Sequence, residues 1–393
     1  MELTKEFLSA KTHPELDECE CHISNIGWSL GNACPCRCKQ CYSLDVRKQG
    51  KDLSIEIIDK IISQIEKLDV KTVNIGGNEP WYTNGLTGKS LFPYIIEQLT
   101  NRGIKVGITT TGITLLKLFE ESPKTIELIN DVDISLDSPF EDEHNESRGV
   151  EIYQLAMKAL DICSNYNIPK SIIMCAMNWN FTIDRLKALV ELAKEKNANV
   201  RFNILKPTNA EHIDMMMTNE QFYEGYKYLL ENCETIDITE PFLSSITNNK
   251  EGHRCPCGRT SLRIHSITPD GKIPVSPCVY IHDYKVGNLL EDDIIDIIHS
   301  EPFKEFRRRN QHPEKIAGCE DCERRFLCGG GCAAKAYLCN LWKTGERDVF
   351  VREPGCPKEY NITDDYNCDK HKEEGEALVH MDYLCTWIGK PKN

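Results

Sequence analysis

Twenty cysteines in 393 residues, crowded toward the two ends of the chain, constrain this sequence more than any other feature. Six fall in residues 1–41, three in residues 42–254 and eleven in residues 255–393. A short disulfide scaffold is richer in cysteine, above about 8–10%. The amino terminus, MELTKEFLSAKTHPELDECE, lacks the basic-then-apolar order of a secretory signal, which predicts a cytoplasmic location where disulfide frameworks are rare. Metal or cluster ligation is therefore the economical reading of the clustered thiols.

The length predicts two or three folding units at roughly 150 residues each. With 47 basic against 61 acidic residues the net charge is −14, which argues against nonspecific binding to nucleic acid or to anionic lipid. No uncharged apolar run approaches the roughly 18 residues of a membrane span. From residue 26 to 206 short β-rich runs alternate with helical patterns. Ile55, Ile57, Ile58, Ile61, Ile62, Ile65 and Leu68 recur at spacings of three and four, one apolar helix face, and KTVNIGG follows as a strand stopped by glycines. IKVGITTTG, DVDISLD, KSIIMCAM and NVRFNILKP repeat this order, so six strands separated by helices predict a parallel α/β sheet with its chemistry at the carboxyl ends of the strands. The span is short for eight units and fits a partial barrel of six. The predicted organisation is an N-terminal extension over 1–25, the partial barrel over 26–206, a helical connector over 207–250 and a cysteine-rich unit over 251–393.

NACPCRCKQCY places Cys34, Cys38 and Cys41 on one loop after the first strand. Three thiolates hold three irons of a [4Fe-4S] cluster and leave the fourth iron open to a small chelating ligand. Cys36 allows other registers. A zinc site completed by Cys19, Cys21 or His22, or a set of reduced structural thiols, is the competing reading. The CX3CX2C loop followed by Tyr42 resembles the radical S-adenosylmethionine (radical SAM) enzymes. GGNEP strengthens the resemblance: Gly76, Gly77, Asn78, Glu79 and Pro80 are similar to the segment with which that family binds the methionine amine of its cofactor. Glycines there permit close backbone approach and Glu79 offers a carboxylate to an ammonium. By the same resemblance Ser135 faces the cofactor ribose, while Thr110 of TTTG, Asn178 or Asn180, and Arg148 beyond Asp137 and His144 are candidate pocket residues. Arg201 and Asn203 read equally as satisfied interior polar groups, and Trp81 as a shaper of the pocket. Cys163, Cys175 and Cys233 read as buried small apolar residues.

In the carboxyl region CEDCERRFLCGGGC has the spacing CX2CX5CX3C, and Cys255, Cys257 and Cys278 flank a predicted hairpin turning at PDG. This resembles the SPASM extension behind many radical SAM peptide and protein maturases. The resemblance implies two auxiliary [4Fe-4S] clusters: one on Cys255, Cys257, Cys278 and Cys332, the other on Cys319, Cys322, Cys328 and Cys356. The pattern departs in two ways: six residues rather than four separate Gly271 from Cys278, and several later cysteines compete for the last ligand. Val279 stands where sulfatase-maturing relatives carry an aspartate, which weighs against that activity. Zinc knuckles or ribbons are the bland alternative here.

The implied architecture is α/β, a partial (β/α)6 barrel of the radical SAM type followed by a SPASM domain. The implied activity is reductive cleavage of S-adenosylmethionine and hydrogen abstraction from a ribosomally made precursor peptide. NIGGNEPWYTNGL and PDGKIPVSPCVY look most like maturases of peptides with nitrogen-fixation-like or nitrile-hydratase-like leaders, a group that includes tyramine-excising spliceases. Thioether formation, carbon-carbon crosslinking and epimerisation remain open, as do a protein or small-molecule substrate and a noncatalytic iron-sulfur or zinc scaffold. With some 25 residues before the first strand, leader recognition is expected from a separate small protein or from the enzyme's own surfaces. A flavodoxin- or ferredoxin-type donor is expected to supply electrons.

Overall fold

The structure is a computed structural model that describes residues 1–393 apart from 31–32, 44–50, 249–251, 361, 363–365 and 372–377. Six strands, β1 (Asn25–Leu30), β2 (Thr72–Gly77), β3 (Lys105–Thr110), β4 (Ile129–Ser135), β5 (Lys170–Ala176) and β6 (Asn199–Ile204), lie side by side in chain order and all parallel. Because every connection is a helical crossover, all six carboxyl ends open on one rim. The crossover helices show how the periodicity works. Helix Ile55–Ile65 starts at Ser54, whose hydroxyl accepts from the Ile57 amide at 3.3 Å, and it buries Ile58, Ile61, Ile62 and Ile65. Helix Ile183–Glu195 buries Leu186, Leu189, Val190 and Ala193 in the same manner.

The sheet continues past both edges of the barrel. β7 (Cys233–Ile238) lies in the segment expected to be a helical connector, after helix Asn219–Asn232. β8 (Ser261–Ile264) runs parallel to β1, and β9 (Val275–Ser276) pairs antiparallel with β8 across a turn in which Gly271 donates to the Thr268 carbonyl at 3.0 Å. This is the hairpin expected at PDG. β10 (Thr386–Pro391) inserts antiparallel between β6 and β7, the tenth strand of the sheet among the described residues. Its Trp387 is fully buried, stacks on Phe202 of β6 and donates Nε1–H to Thr235 of β7 at 3.0 Å.

The segment leading into β10 fills the barrel interior. His380 is 1% exposed, its Nδ1 lying 2.5 Å from Asp131 Oδ2 and its Nε2 2.7 Å from Asn74 Oδ1. Val379 donates its amide to the same Asp131 at 2.9 Å. A Cβ on Gly107 of β3 would fall 2.7 Å from Val379 Cβ, so glycine at this interior strand position makes room for the segment. Arg263 of β8 stacks its guanidinium 3.9 Å from the Tyr383 ring centroid and donates to the Tyr383 carbonyl at 2.5 Å. Polar side chains that point inward from β2, β4 and β8 thus find partners on the chain's last residues, as burial requires. The N-terminal residues pack on the cysteine-rich unit: Phe7 lies edge-on to Tyr284, and Glu18 pairs with the buried Arg307 at 2.5 Å. Among the described residues no helix is long and apolar enough to cross a membrane.

Candidate functional site

A cavity opens at the rim where the loop after β1 faces the ends of β2 to β6. Cys34, Cys36, Cys38 and Cys41 form one wall. The Cys36 thiol, fully buried, touches those of both Cys34 and Cys38. Cys38 is drawn down to about 6, first by its hydrogen bond with Cys36 and then by the Arg148 charge, against burial, which pushes the other way; Cys36 is pushed up. Arg148 ends helix Glu141–Arg148. Its NH1 lies 3.8 Å from Cys38 Sγ, its NH2 donates to Asp137 Oδ1 at 2.9 Å, and its carbonyl accepts the Arg37 amide at 2.7 Å. Asp137, just past β4 and fully buried, also accepts from Gln40 at 2.7 Å and Ser147 at 2.8 Å. Arg148 therefore borders the cavity as a brace on the cysteine loop, its guanidinium already engaged, rather than as the free cofactor contact the resemblance suggested.

The opposite wall comes from the strand ends. Gly77 has φ +92°, and a Cβ there would sit 2.5 Å from Ser29 Oγ, so this glycine serves both a left-handed turn and close packing of β2 on β1. Its carbonyl accepts from Ser43 Oγ at 3.3 Å, and that hydroxyl also lies 3.3 Å from Cys41 Sγ, tying the cysteine loop to GGNEP. Glu79 is 1% exposed and its carboxylate is saturated. One oxygen accepts from the Thr110 hydroxyl and, at 2.9 and 2.5 Å, from the Thr114 amide and hydroxyl; the other accepts from the Thr111 amide at 3.0 Å and hydroxyl at 2.7 Å. The carboxylate expected to meet an ammonium instead fastens the β3 turn and the start of helix Ile113–Glu121. The Gly77 carbonyl and the Asn78 side chain also border the cavity, and both accept from Ser43 Oγ, Asn78 Oδ1 at 3.0 Å. Thr110 and Ser135 also border the cavity, and Pro80 follows behind Glu79. Asn178 does not border it: its Nδ2 donates to the Asp214 carbonyl at 2.7 Å, fastening the segment Ala210–Met215. Asn180 is likewise spent on the Asp137 and Cys175 carbonyls, both at 3.0 Å. Trp81 packs into the core. Cys175, expected as a core residue, lines the cavity, whereas Cys163 and Cys233 lie in the core.

The remaining thiols fall into two groups. Cys278 touches Cys257, Cys257 touches Cys255, Cys255 touches Cys385, and Cys385 touches Cys332. The Cys255 sulfur also receives the backbone N–H groups of Cys257 and Ala333, donors suited to a charged thiolate. In the second group Cys319, Cys322, Cys328 and Cys356 sit close enough for their charges to interact. Among the described residues no three His, Cys, Asp or Glu side chains gather tightly enough for a single metal ion. Donor chemistry fits iron-sulfur clusters well: three separate groups, each of at least three buried or half-buried thiols.

The profile of the radical SAM superfamily matches residues 28–193, and that of the SPASM iron-sulfur cluster-binding domain matches residues 255–323. The chain is a radical SAM/SPASM enzyme. It is 26% identical over 346 residues to the mycofactocin maturase MftC of Mycolicibacterium smegmatis, covering 84% of this chain and 83% of the relative. The mycofactocin maturase of Mycobacterium tuberculosis is 25% identical over 354 residues, covering 86% of each chain. Among solved structures, anSMEcpe with bound AdoMet and Cp18Cys peptide superimposes with TM-score 0.62 at 14% identity, covering 86% of this chain and 95% of the other. Streptococcus suis SuiB bound to its precursor peptide SuiA gives TM-score 0.58 at 16% identity, covering 85% of this chain and 76% of the other. At these identities the structural likeness establishes the fold alone.

Lys206, Asn203, Tyr280 and Tyr42 of this radical SAM/SPASM enzyme join its cavity to its cysteine-rich unit, and of these Lys206 carried no signal in the sequence. Lys206, just after β6 and 4% exposed, donates to Asn203 Oδ1 at 2.7 Å and lies 5.2 Å from the Tyr280 ring centroid. Tyr280 also accepts from Asn203 Nδ2 at 2.5 Å and packs edge-on to Tyr42, with centroids 5.2 Å apart. Tyr42 adjoins Cys41 and Tyr280 follows Cys278 by two residues, so an aromatic pair spans the space between a cysteine of each unit. Position beside a cysteine was the one available hint.

His144 makes the site acid-sensitive. Burial first and the Arg148 charge second push its imidazole down to about 4, and its neutral Nδ1 accepts the Asp137 amide at 3.1 Å. A depressed pKa adds stability that is complete above the unfolded value near 6.5 and lost as pH falls through 4. The loss amounts to about 3 kcal/mol. His282, pushed down to about 3 by burial, adds a loss of the same sign. His144→Gln, which keeps an acceptor but cannot titrate, is expected to show a shallower fall in urea stability between pH 6.5 and 4. An unchanged slope would show that His144 is not buried neutral.

Proposed function

We propose that this chain is a maturase of a ribosomally made precursor peptide. The observation that carries the reading is a single cavity bounded by the Cys34, Cys38 and Cys41 loop, the GGNEP turn and Tyr280 of the auxiliary-cysteine unit. The mycofactocin maturases match along 84–86% of its length, more than the 72% matched by a probable GTP 3',8-cyclase of Methanococcus vannielii, and two of the solved structures of like fold hold peptides; both support a peptide over a small molecule.

Cys34, Cys38 and Cys41 would hold the first [4Fe-4S] cluster, and the two further thiol groups one auxiliary cluster each. The chemistry these groups supply with S-adenosylmethionine is its reductive cleavage to a 5'-deoxyadenosyl radical that abstracts hydrogen. The chain's own part is binding and orientation. Arg148 holds Cys38 toward the cavity, the Gly77 carbonyl and Asn78 accept an ammonium, and Ser135 offers a hydroxyl to the ribose. Lys206 presents an ammonium to an anionic group at the far side, and Tyr42 with Tyr280 lies between the first cluster's loop and the first auxiliary thiols. The domain roles follow the sequence: barrel over 26–206, auxiliary unit over 251–393.

Within this class we carry the reading to tyramine excision at a tyrosine-glycine site, leaving an α-keto-β-amino acid, on the strength of NIGGNEPWYTNGL and PDGKIPVSPCVY. A separate leader-recognition protein and a cytoplasmic flavodoxin or ferredoxin complete the proposed system. The test is anaerobic incubation of the reconstituted, reduced enzyme with precursor peptides encoded beside it, read by mass spectrometry. Loss of C8H9NO, a tyrosine residue less its retained carbonyl and so tyramine less two hydrogens, is expected. Loss of two hydrogens would replace splicing by thioether or carbon-carbon crosslinking, an unchanged mass in water with uptake of one deuterium in D2O by epimerisation, and 5'-deoxyadenosine without any peptide change would overturn the peptide reading.

A further inference from the structure

Five thiols meet where the Cys255-Pro256-Cys257 turn, the end of β9 and the start of helix Ala333–Thr344 converge, and a four-iron cluster takes four. The fifth is Cys385; like Cys332 it lies beyond the matched SPASM segment, which ends at residue 323, but unlike Cys332 it belongs to no cysteine spacing of that extension. All five are buried, Cys385 at 3% exposure. A buried lone cysteine is ordinarily a small apolar residue. Cys385 differs in what it faces, the thiols of Cys255 and Cys332, which come from two different segments. It is also the thiol through which Cys332 touches the rest of the group.

The backbone around Cys385 is fixed on both sides. Five residues before it His380 is pinned in the barrel interior, and Thr386, immediately after it, pairs with Asn203 of β6. Thr239 donates its hydroxyl to the Leu384 carbonyl at 2.5 Å and accepts the Thr386 amide at 3.2 Å. Such anchoring holds the thiol in the pocket before any cluster forms. The turn, by contrast, brings two thiols from adjacent positions to a place where one suffices.

We propose that Cys385 is an iron ligand of the first auxiliary cluster, together with Cys278, Cys332 and one thiol of the Cys255 and Cys257 pair. Each ligand thiol gives its proton to solvent as its iron-sulfur bond forms. The consequence is that the C-terminal segment is a working part of the enzyme. It links barrel interior, auxiliary cluster and the strand between β6 and β7 in eleven residues, from His380 to Lys390. The proposal rests on the reading that this pocket holds a cluster.

The test uses the full-length chain reconstituted anaerobically, with iron and sulfide counted and the reduced clusters followed by electron paramagnetic resonance. Wild type is expected to hold about 12 irons and Cys385→Ser about 8, the loss of one four-iron cluster. In that variant the signal that responds to S-adenosylmethionine should persist. Either Cys255→Ser or Cys257→Ser should keep the full count. Cys385→Asp, which preserves a ligand atom, should retain iron with shifted g values.

Full iron with an unchanged spectrum in both Cys385 variants would overturn the proposal alone. Loss of all clusters from both would also overturn it, since a ligand role removes one cluster and not three. A wild-type chain with only about 4 irons, a single cluster, would overturn the auxiliary-cluster reading and this inference with it.

Discussion

Alanine in place of Cys38 is expected to abolish 5'-deoxyadenosine formation from S-adenosylmethionine and to lower iron by about four per chain, one cluster's worth. Alanine in place of Cys36 is expected to leave both nearly intact. The pair is informative because CPCRC offers two registers. Cys36 is fully buried and touches two other thiols, so burial alone would favour it as a ligand. Charge decides otherwise. The Arg148 guanidinium, backed by Asp137, reaches Cys38 at 3.8 Å and favours its ionised form. Iron takes thiolate, so Cys38 is the better donor. The assay is chromatographic quantitation of 5'-deoxyadenosine after reduction, beside iron analysis. Activity retained by Cys38→Ala and lost by Cys36→Ala would move the ligand set to the other register.

Much of the barrel was legible because its signals are local. Ile58, Ile61, Ile62 and Ile65 announce a helix within eleven residues, and GGNEP closes a strand within five. The cysteine loop was legible for the same reason, three ligands within eight residues. What escaped lies in contacts between distant positions. β10 is six residues whose place between β6 and β7 depends on Phe202 and Thr235, well over a hundred residues upstream. The Cys385 thiol has no spacing that distinguishes it from Cys368 or Cys339; only the insertion of β10 brings it to Cys332. Glu79 shows the opposite failure. The motif identified an acidic residue at the right strand end, but a motif does not count donors, and Thr110, Thr111 and Thr114 between them satisfy the carboxylate. Asn178 misled because a polar residue just beyond a strand end can turn either to the rim or to the next loop, and here it turns to the loop.

Arg148→Met is the variant expected to cost most in stability. It would leave Asp137, with no exposed surface, as a buried charge without its cation, and breaking a buried pair from one side costs about 3–5 kcal/mol. Gln40 and Ser147 still donate to Asp137, which places the expected loss toward the lower end of that range. For a domain whose whole stability is about 5–15 kcal/mol, the change shows plainly in urea unfolding of the cluster-free chain. Asp137→Asn combined with Arg148→Met should recover part of the loss, since the stranded charge is gone; the double-mutant cycle reads the coupling directly. A second consequence separates bracing from mere packing. Without the Arg148 charge Cys38 loses one of the two forces that favour its thiolate, so the pH needed for cluster assembly on the first loop should rise in Arg148→Met and return in Arg148→Lys. If stability falls but the assembly pH does not move, Arg148 holds the helix and Asp137 together and has no part in preparing Cys38 for iron.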